Sequence, residues 1–314
     1  MDARSFSSAF HRSVALLLKL HRVMTTGDPD GGDADAIREA MEHPWYAMSS
    51  YEQQLVRGLS ADLYSIGEDR EVPPDVRSDL VQASMDALKN GHCEELLQIL
   101  RNNQNSLPPD SVAFLRGMAW SLFGQYEVAV EFFEEAAQLS NYQWPTFIHG
   151  LLTAQIAAGK SQEAFDLAER TASQSDDPLL LLDAAEVYFV RSTEVDPELS
   201  TLIQQKAVDI AKRASSLAEK AEQNQALRRQ RALVLLWLAL FYLSLDEVKS
   251  ANEASNAAHD LADDDPNVLF IQEIITQRST RESWDKGIGK VMARFVTMPT
   301  AMSSRLTQDL VTAN

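Results

Sequence analysis

One cysteine, Cys93, is all that 314 residues provide. An internal disulfide is therefore impossible, and nothing in the chain requires an oxidising compartment. Glycine (12) and proline (11) are scarce as well, which excludes collagen-like and Pro/Gly-rich low-complexity architectures. No long stretch alternates apolar and polar residues, so half-buried strands are not expected. Basic residues are the minority: 28 Lys and Arg against 46 Asp and Glu give a net charge of −18 and a pI near 4.7. Such a chain repels polyanions at long range, which excludes nucleic acid and anionic lipid as main partners. The longest apolar run, Ala232 to Leu245, falls short of the roughly 20 residues that a bilayer demands, and it predicts a buried helix rather than a membrane span. The N-terminal run Val14 to Leu18 is followed at once by Lys19, His21 and Arg22 with no small-residue cleavage site, which makes a poor signal peptide. A cytoplasmic, acidic protein is the expectation.

What is present is helix-forming material, with Ala, Leu, Glu and Gln abundant and a hydrophobic content of 45%. The fold class reads as all-α. Self-similarity is the strongest signal. Gly91, Gly124 and Gly159 each close one helical pattern just before the next begins, at intervals of 33 and 35 residues. Five residues after each stands Leu96, Ala129 or Ala164, and four further on Leu100, Phe133 or Ala168. Ala207, Ala211 and Ala214 repeat the stripe, as do Ala251, Ser255 and Ala258. Small or apolar residues at this spacing put one narrow stripe on a helix, against which a preceding helix can pack closely. Pro108, Asp177-Pro178 and Asp265-Pro266 punctuate the units.

At this point the sequence resembles the tetratricopeptide repeat (TPR) family. The best unit, Asp110 to Asn141, carries Gly117, Trp120, Gly124, Tyr126, Ala129, Phe133 and Ala136 where that family carries Gly, Tyr, Gly, Tyr, Ala, Phe and Ala. Pro145 to Asp176 keeps Gly159 and Ala164, and a longer unit from Leu179 to Gln225 has an extended second helix from Pro197. The resemblance implies a right-handed α-solenoid of helical hairpins. Residues 1–72 read as an N-terminal helical cap, with a helix from Arg4 to Met24, a short helix through Ile37 and Met41, a break at Pro44 and a helix from Ser49 to Ile66. The joint at Val72-Pro73-Pro74 leads into a repeat array over 73–278. Residues 279–298 read as an amphipathic C-terminal capping helix and 299–314 as a mobile tail.

Motifs that could carry chemistry resolve into structural features. Ala154-Gln-Ile-Ala-Ala-Gly159-Lys160-Ser161 matches a loose phosphate-loop pattern, but a helical pattern precedes it where a strand is needed. The reading is a turn in which Gly159 ends one helix and the Ser161 hydroxyl caps the next. The loop from Asp28 to Asp35 has Gly32 and Asp33 in the reverse of the order a calcium loop requires, so it reads as an acidic turn before a helix. His11, His21, His43, His92, His149 and His259 show no metal-ligand spacing. No catalytic, cofactor or metal residues are assigned, and no cofactor is expected.

The family resemblance implies that first helices of the hairpins line a concave binding face. On the two best units this places Phe114, Met118, Ser121, Leu122, His149, Thr153 and Ile156 there. Lys and Arg are missing from this set, which suits a helical or extended apolar segment of a partner protein rather than a carboxylate terminus. The expected function is a non-enzymatic protein–protein interaction scaffold. Two alternatives stand beside it. The segment Arg278 to Arg305 carries six basic and two acidic residues, and could drive self-assembly against the acidic body. An enzyme with an unrecognised site is the remoter one. The N-terminal helix, with Phe10, Val14, Leu17, Leu18 and Val23, could also fill the groove itself.

Overall fold

The computed structural model describes residues 6–28, 31–68, 77–221, 225–266, 268–269 and 272, and among these it shows thirteen helices and no strand. The chain divides into two compact units, Met1–Phe123 and Gly124–Asn314.

The first unit holds α1 (Ser8–Thr26), α2 (Gly32–Ala47), α3 (Ser50–Tyr64), α4 (Ser78–Lys89), α5 (Cys93–Asn102) and α6 (Pro109–Leu122). Glu52 ties the starts of two helices together: its carboxylate accepts from the backbone N–H of Ser7 at 2.7 Å and of Ser49 at 2.9 Å. Ser7 and Ser49 are the N-caps of α1 and α3, so one acid serves both ends, completing a capping box in α3. Burial pushes Glu52 up, but these N–H donors outweigh it and hold the carboxyl at about 2. Leu20 of α1 packs with Ala34 and Ile37 of α2, joined by Leu16, Val23, Met24 and Met41. The expected break at Pro44 is not there; α2 runs through it to Ala47. Pro44 has no N–H to give the carbonyl of Ala40, so the helix passes through it one hydrogen bond short.

A buried ionic knot anchors α3 to α5 and α6. Asp62 is 1% exposed and receives Arg101 Nε at 3.1 Å, Arg101 Nη2 at 2.6 Å and Arg116 Nη2 at 3.1 Å. Arg116, 2% exposed, also donates through Nη1 to Ser65 Oγ at 2.7 Å, and Ser65 Oγ donates to the Asp62 carbonyl at 2.6 Å. Gly58, one turn before Asp62, makes the approach possible: a Cβ there would stand 2.5 Å from the Arg101 guanidinium carbon.

The second unit holds α7 (Tyr126–Leu139), α8 (Pro145–Ala157), α9 (Ser161–Gln174), α10 (Pro178–Ser192), α11 (Pro197–Ala221), α12 (Gln225–Ser244) and α13 (Val248–Leu261). Each hairpin packs on the next, with α8 beside α10 and α10 beside α12 as first helices and α9, α11 and α13 as second helices. The alanine stripes are where the spacing put them: Ala164, Ala168, Ala207, Ala211, Ala214, Ala251 and Ala258 are fully buried. The run Ala232 to Leu243 in α12 is buried apart from Leu233 and Tyr242, as an all-round apolar helix should be. The 25-residue α11 from Pro197 is the extended second helix expected there.

The turns share one device. Gly91, Gly124 and Gly159 have φ of +69, +71 and +73°, and His92 and Lys160 donate back to the carbonyls of Ala87 and Gln155, each at 2.8 Å. This left-handed cap satisfies carbonyls that the helix end leaves free. The α12–α13 turn uses the same geometry without glycine: Asp246 has φ +61° and Glu247 donates to the Tyr242 carbonyl at 2.9 Å. The expected Ser161 cap is absent, since the α9 N-cap is Lys160 and Ser161 Oγ instead donates to Glu194 Oε1 at 2.7 Å. The expected joint at 72–74, the C-terminal helix over 279–298 and the tail lie outside the described residues.

Candidate functional site

The seven residues expected to line a binding face separate on exposure. In the first unit every residue of α6 from Ser111 to Trp120 is buried, with Phe114 at 1% and Met118 at 9%. Those two are core side chains and not a free surface, a departure from the expectation. The reason is that α6 presents no open stripe until its last turn, where Ser121 is half-buried and Leu122 is 40% exposed. In α1, Phe10, Val14, Leu17 and Leu18 are buried, Phe6 stacks on Phe10 at 4.2 Å, and Phe6 meets Phe123 edge-on at 5.6 Å.

In the second unit His149, Thr153 and Ile156 behave differently. All three are half-buried and follow one stripe of α8. The neighbouring first helix, α10, carries a matching half-buried stripe of Leu179, Asp183, Glu186 and Val190. Spacings of i, i+4 and i+7 hold each set on one helix face. A direct contact joins the two stripes: His149 Nδ1 lies 2.7 Å from Asp183 Oδ2, with the side chains 33% and 13% exposed. Pro145 and Pro178 open these helices, and Asp177 caps α10 by accepting from Leu179 and Leu180 N–H. Rigid, short hairpins thus set the two stripes beside each other.

The electrostatics of this face are one-sided. Among its seven side chains there is no Lys or Arg, while Asp183 and Glu186 are both acids. Burial first, and then the nearby Asp183 carboxylate, hold Glu186 well above the usual carboxylate range. Chemically the face offers one imidazole, one hydroxyl, two carboxylates and three aliphatic side chains. The α10 stripe was not read from sequence. Counting from the opening prolines finds only Glu186, which like Thr153 stands eight residues past its proline; the offsets of His149 and Ile156 lead to Leu182 and Phe189, which are buried.

The turn at Gly159-Lys160-Ser161 joins two helices, as expected, and has no strand before it. Cys93 is buried and its thiol is pushed up to about 11, chiefly by burial, which favours the neutral thiol. Among the described residues no group of His, Cys, Asp or Glu side chains could hold a metal ion, and no helix is long and apolar enough to cross a membrane.

No protein-family model matches the chain, and no curated protein matches it. Solved structures do. The chain resembles one in the hetero-tetramer Cut9-Hcn1 of APC/C at 18% identity, over 96% of this chain and 54% of that one, with a TM-score of 0.50. It also resembles a thermophilic TPR protein of Thermus thermophilus at 18% identity, over 64% of this chain and 99% of that one, with a TM-score of 0.45. The chain has a TPR-like helical-repeat fold. The all-α helical-repeat solenoid expected from the sequence is thus its fold, and at this identity the likeness extends to the fold and no further. In a TPR-like array the first helices of successive hairpins are neighbours, which is the relation of α8 to α10 described above.

Proposed function

We propose that this TPR-like protein is a non-enzymatic interaction scaffold and that its second unit holds a segment of a partner protein along the α8–α10 face. The observation that carries this reading is the pair of matched half-buried stripes, His149-Thr153-Ile156 and Leu179-Asp183-Glu186-Val190, joined at His149–Asp183. A core stripe would be fully buried and a solvated one would be charged along its length; these are neither. The partner is a protein and not nucleic acid, in keeping with the net charge of −18, and the compartment is the cytoplasm.

The test is affinity capture from native lysate with wild type, an Ile156→Asp, Val190→Asp double variant, and Leu202→Asp as a control on the exposed start of α11. All three are first matched for helicity and melting temperature. Proteins retained by wild type and the control but lost from the double variant support the face; identical retention by all three rejects it.

A further inference from the structure

Two carboxylates one turn apart on α10 are treated differently by the fold. Asp183 receives His149 at 2.7 Å. Glu186 makes no hydrogen bond or ion pair with any described residue, and the charge acting on it most is the like charge of Asp183. It is nevertheless not sealed, since its side chain is half-buried on the same stripe as Leu179 and Val190. A carboxylate stripped of much of its water and given no cation costs the free protein stability, and a cation supplied from outside removes that cost. Of the other residues on the face, Ile156, Leu179 and Val190 are aliphatic, Thr153 has a hydroxyl but no charge, and His149 is engaged by Asp183.

We infer that the α8–α10 face selects a partner segment that places one lysine or arginine side chain on Glu186, between apolar side chains lying along Ile156, Leu179 and Val190. Charge complementarity argues for this occupant, because the face has two acids, no Lys or Arg, and one acid already matched by His149. From Leu179 to Val190 the α10 stripe is about 16 Å long at the helical rise, so an extended segment of about five residues covers it. The basic residue therefore stands within about three residues of an apolar one on either side. The inference rests on the proposal that this face binds a partner segment, and deepens it by naming the chemistry of that segment.

The experiment uses the full chain. A phage-displayed random peptide library is panned on wild type, and the enriched peptides are synthesised and titrated by fluorescence polarisation against wild type, Glu186→Gln and Ile156→Asp. Glu186→Gln is isosteric and is expected to melt no lower than wild type, so loss of binding does not report loss of folding. Expected are peptides with a Lys or Arg beside apolar residues, bound about tenfold or more weakly by Glu186→Gln. Replacing that peptide Lys or Arg with norleucine should cost wild type the same factor and cost Glu186→Gln nothing further, the signature of a direct pair. Peptides weakened by Ile156→Asp but bound equally by Glu186→Gln overturn the cation and leave the face standing. Peptides indifferent to both variants overturn the face as well.

Discussion

Asp62 in the first unit and Glu186 in the second are both carboxylates inside a helical array, and the fold equips them in opposite ways. Asp62 is 1% exposed and meets two guanidiniums, with Ser65 completing the network through Arg116 and the Asp62 carbonyl. Glu186 is half-buried, stands one turn from another acid and has no cationic partner among the described residues. A buried charge with partners on every side is a structural fastener, since breaking it strands the remaining charges. A carboxylate that is partly desolvated, reachable and unmatched costs the free molecule stability. Glu52 lies between the two, held by backbone N–H groups of Ser7 and Ser49 instead of by cations.

This contrast can be broken experimentally, starting with the fastener. Asp62→Ala leaves Arg116 buried beside Arg101 with no carboxylate between them, and should cost about 3–5 kcal/mol in a denaturant melt of the first unit's transition. A loss below about 1 kcal/mol would mean that the knot is not structural. Next comes Gly58→Ala, which pushes a methyl group to within 2.5 Å of the Arg101 guanidinium carbon. The arginine can swing out, so the expected loss is smaller, about 1–2 kcal/mol, and it should vanish in an Asp62→Ala background.

Glu52→Ala removes the shared cap and should cost about 1 kcal/mol at neutral pH. Its pH dependence gives the sign. The folded pKa of about 2 lies below the ordinary 4.5, so the stabilisation is full above about 4.5 and is lost as pH falls toward 2. Wild type and variant melts should therefore converge in acid. Glu186→Gln should do the reverse on a smaller scale, raising neutral-pH stability by less than about 1 kcal/mol. Its folded pKa is raised, so the wild type is relatively favoured below the ordinary 4.5 and loses ground as pH rises through the folded value. A Glu186→Gln variant less stable than wild type at neutral pH would show that Glu186 is matched after all.

Legibility followed locality. Three left-handed helix caps announce themselves as Gly91, Gly124 and Gly159, whereas Asn141 and Asp246 take the same conformation with residues that are common in any turn. Ser161 reads as a cap because it follows a helix end, but a hydroxyl goes to the best acceptor in reach, and the next hairpin brings Glu194 to it. On the face, His149, Thr153 and Ile156 are readable from the register of the best repeats, while the α10 stripe is hidden because its unit lacks the glycine that sets the count. Phe114 and Met118 share that register and are nonetheless buried, since exposure depends on what packs over a helix and not on its spacing.

By itself the sequence determined the helical class, the hairpin rhythm, the buried alanine stripes and the apolar α12, because each arises from contacts within one helix or between neighbours a few tens of residues apart. Tertiary structure alone decided which polar side chains meet. Asp62 finds Arg101 and Arg116 from helices 39 residues and more away, His149 finds Asp183 on the next hairpin, and Glu186 finds no cation among the described residues. Pairing of charges turns on distances of a few ångströms set by the packing of whole helices, and no period in the chain encodes them.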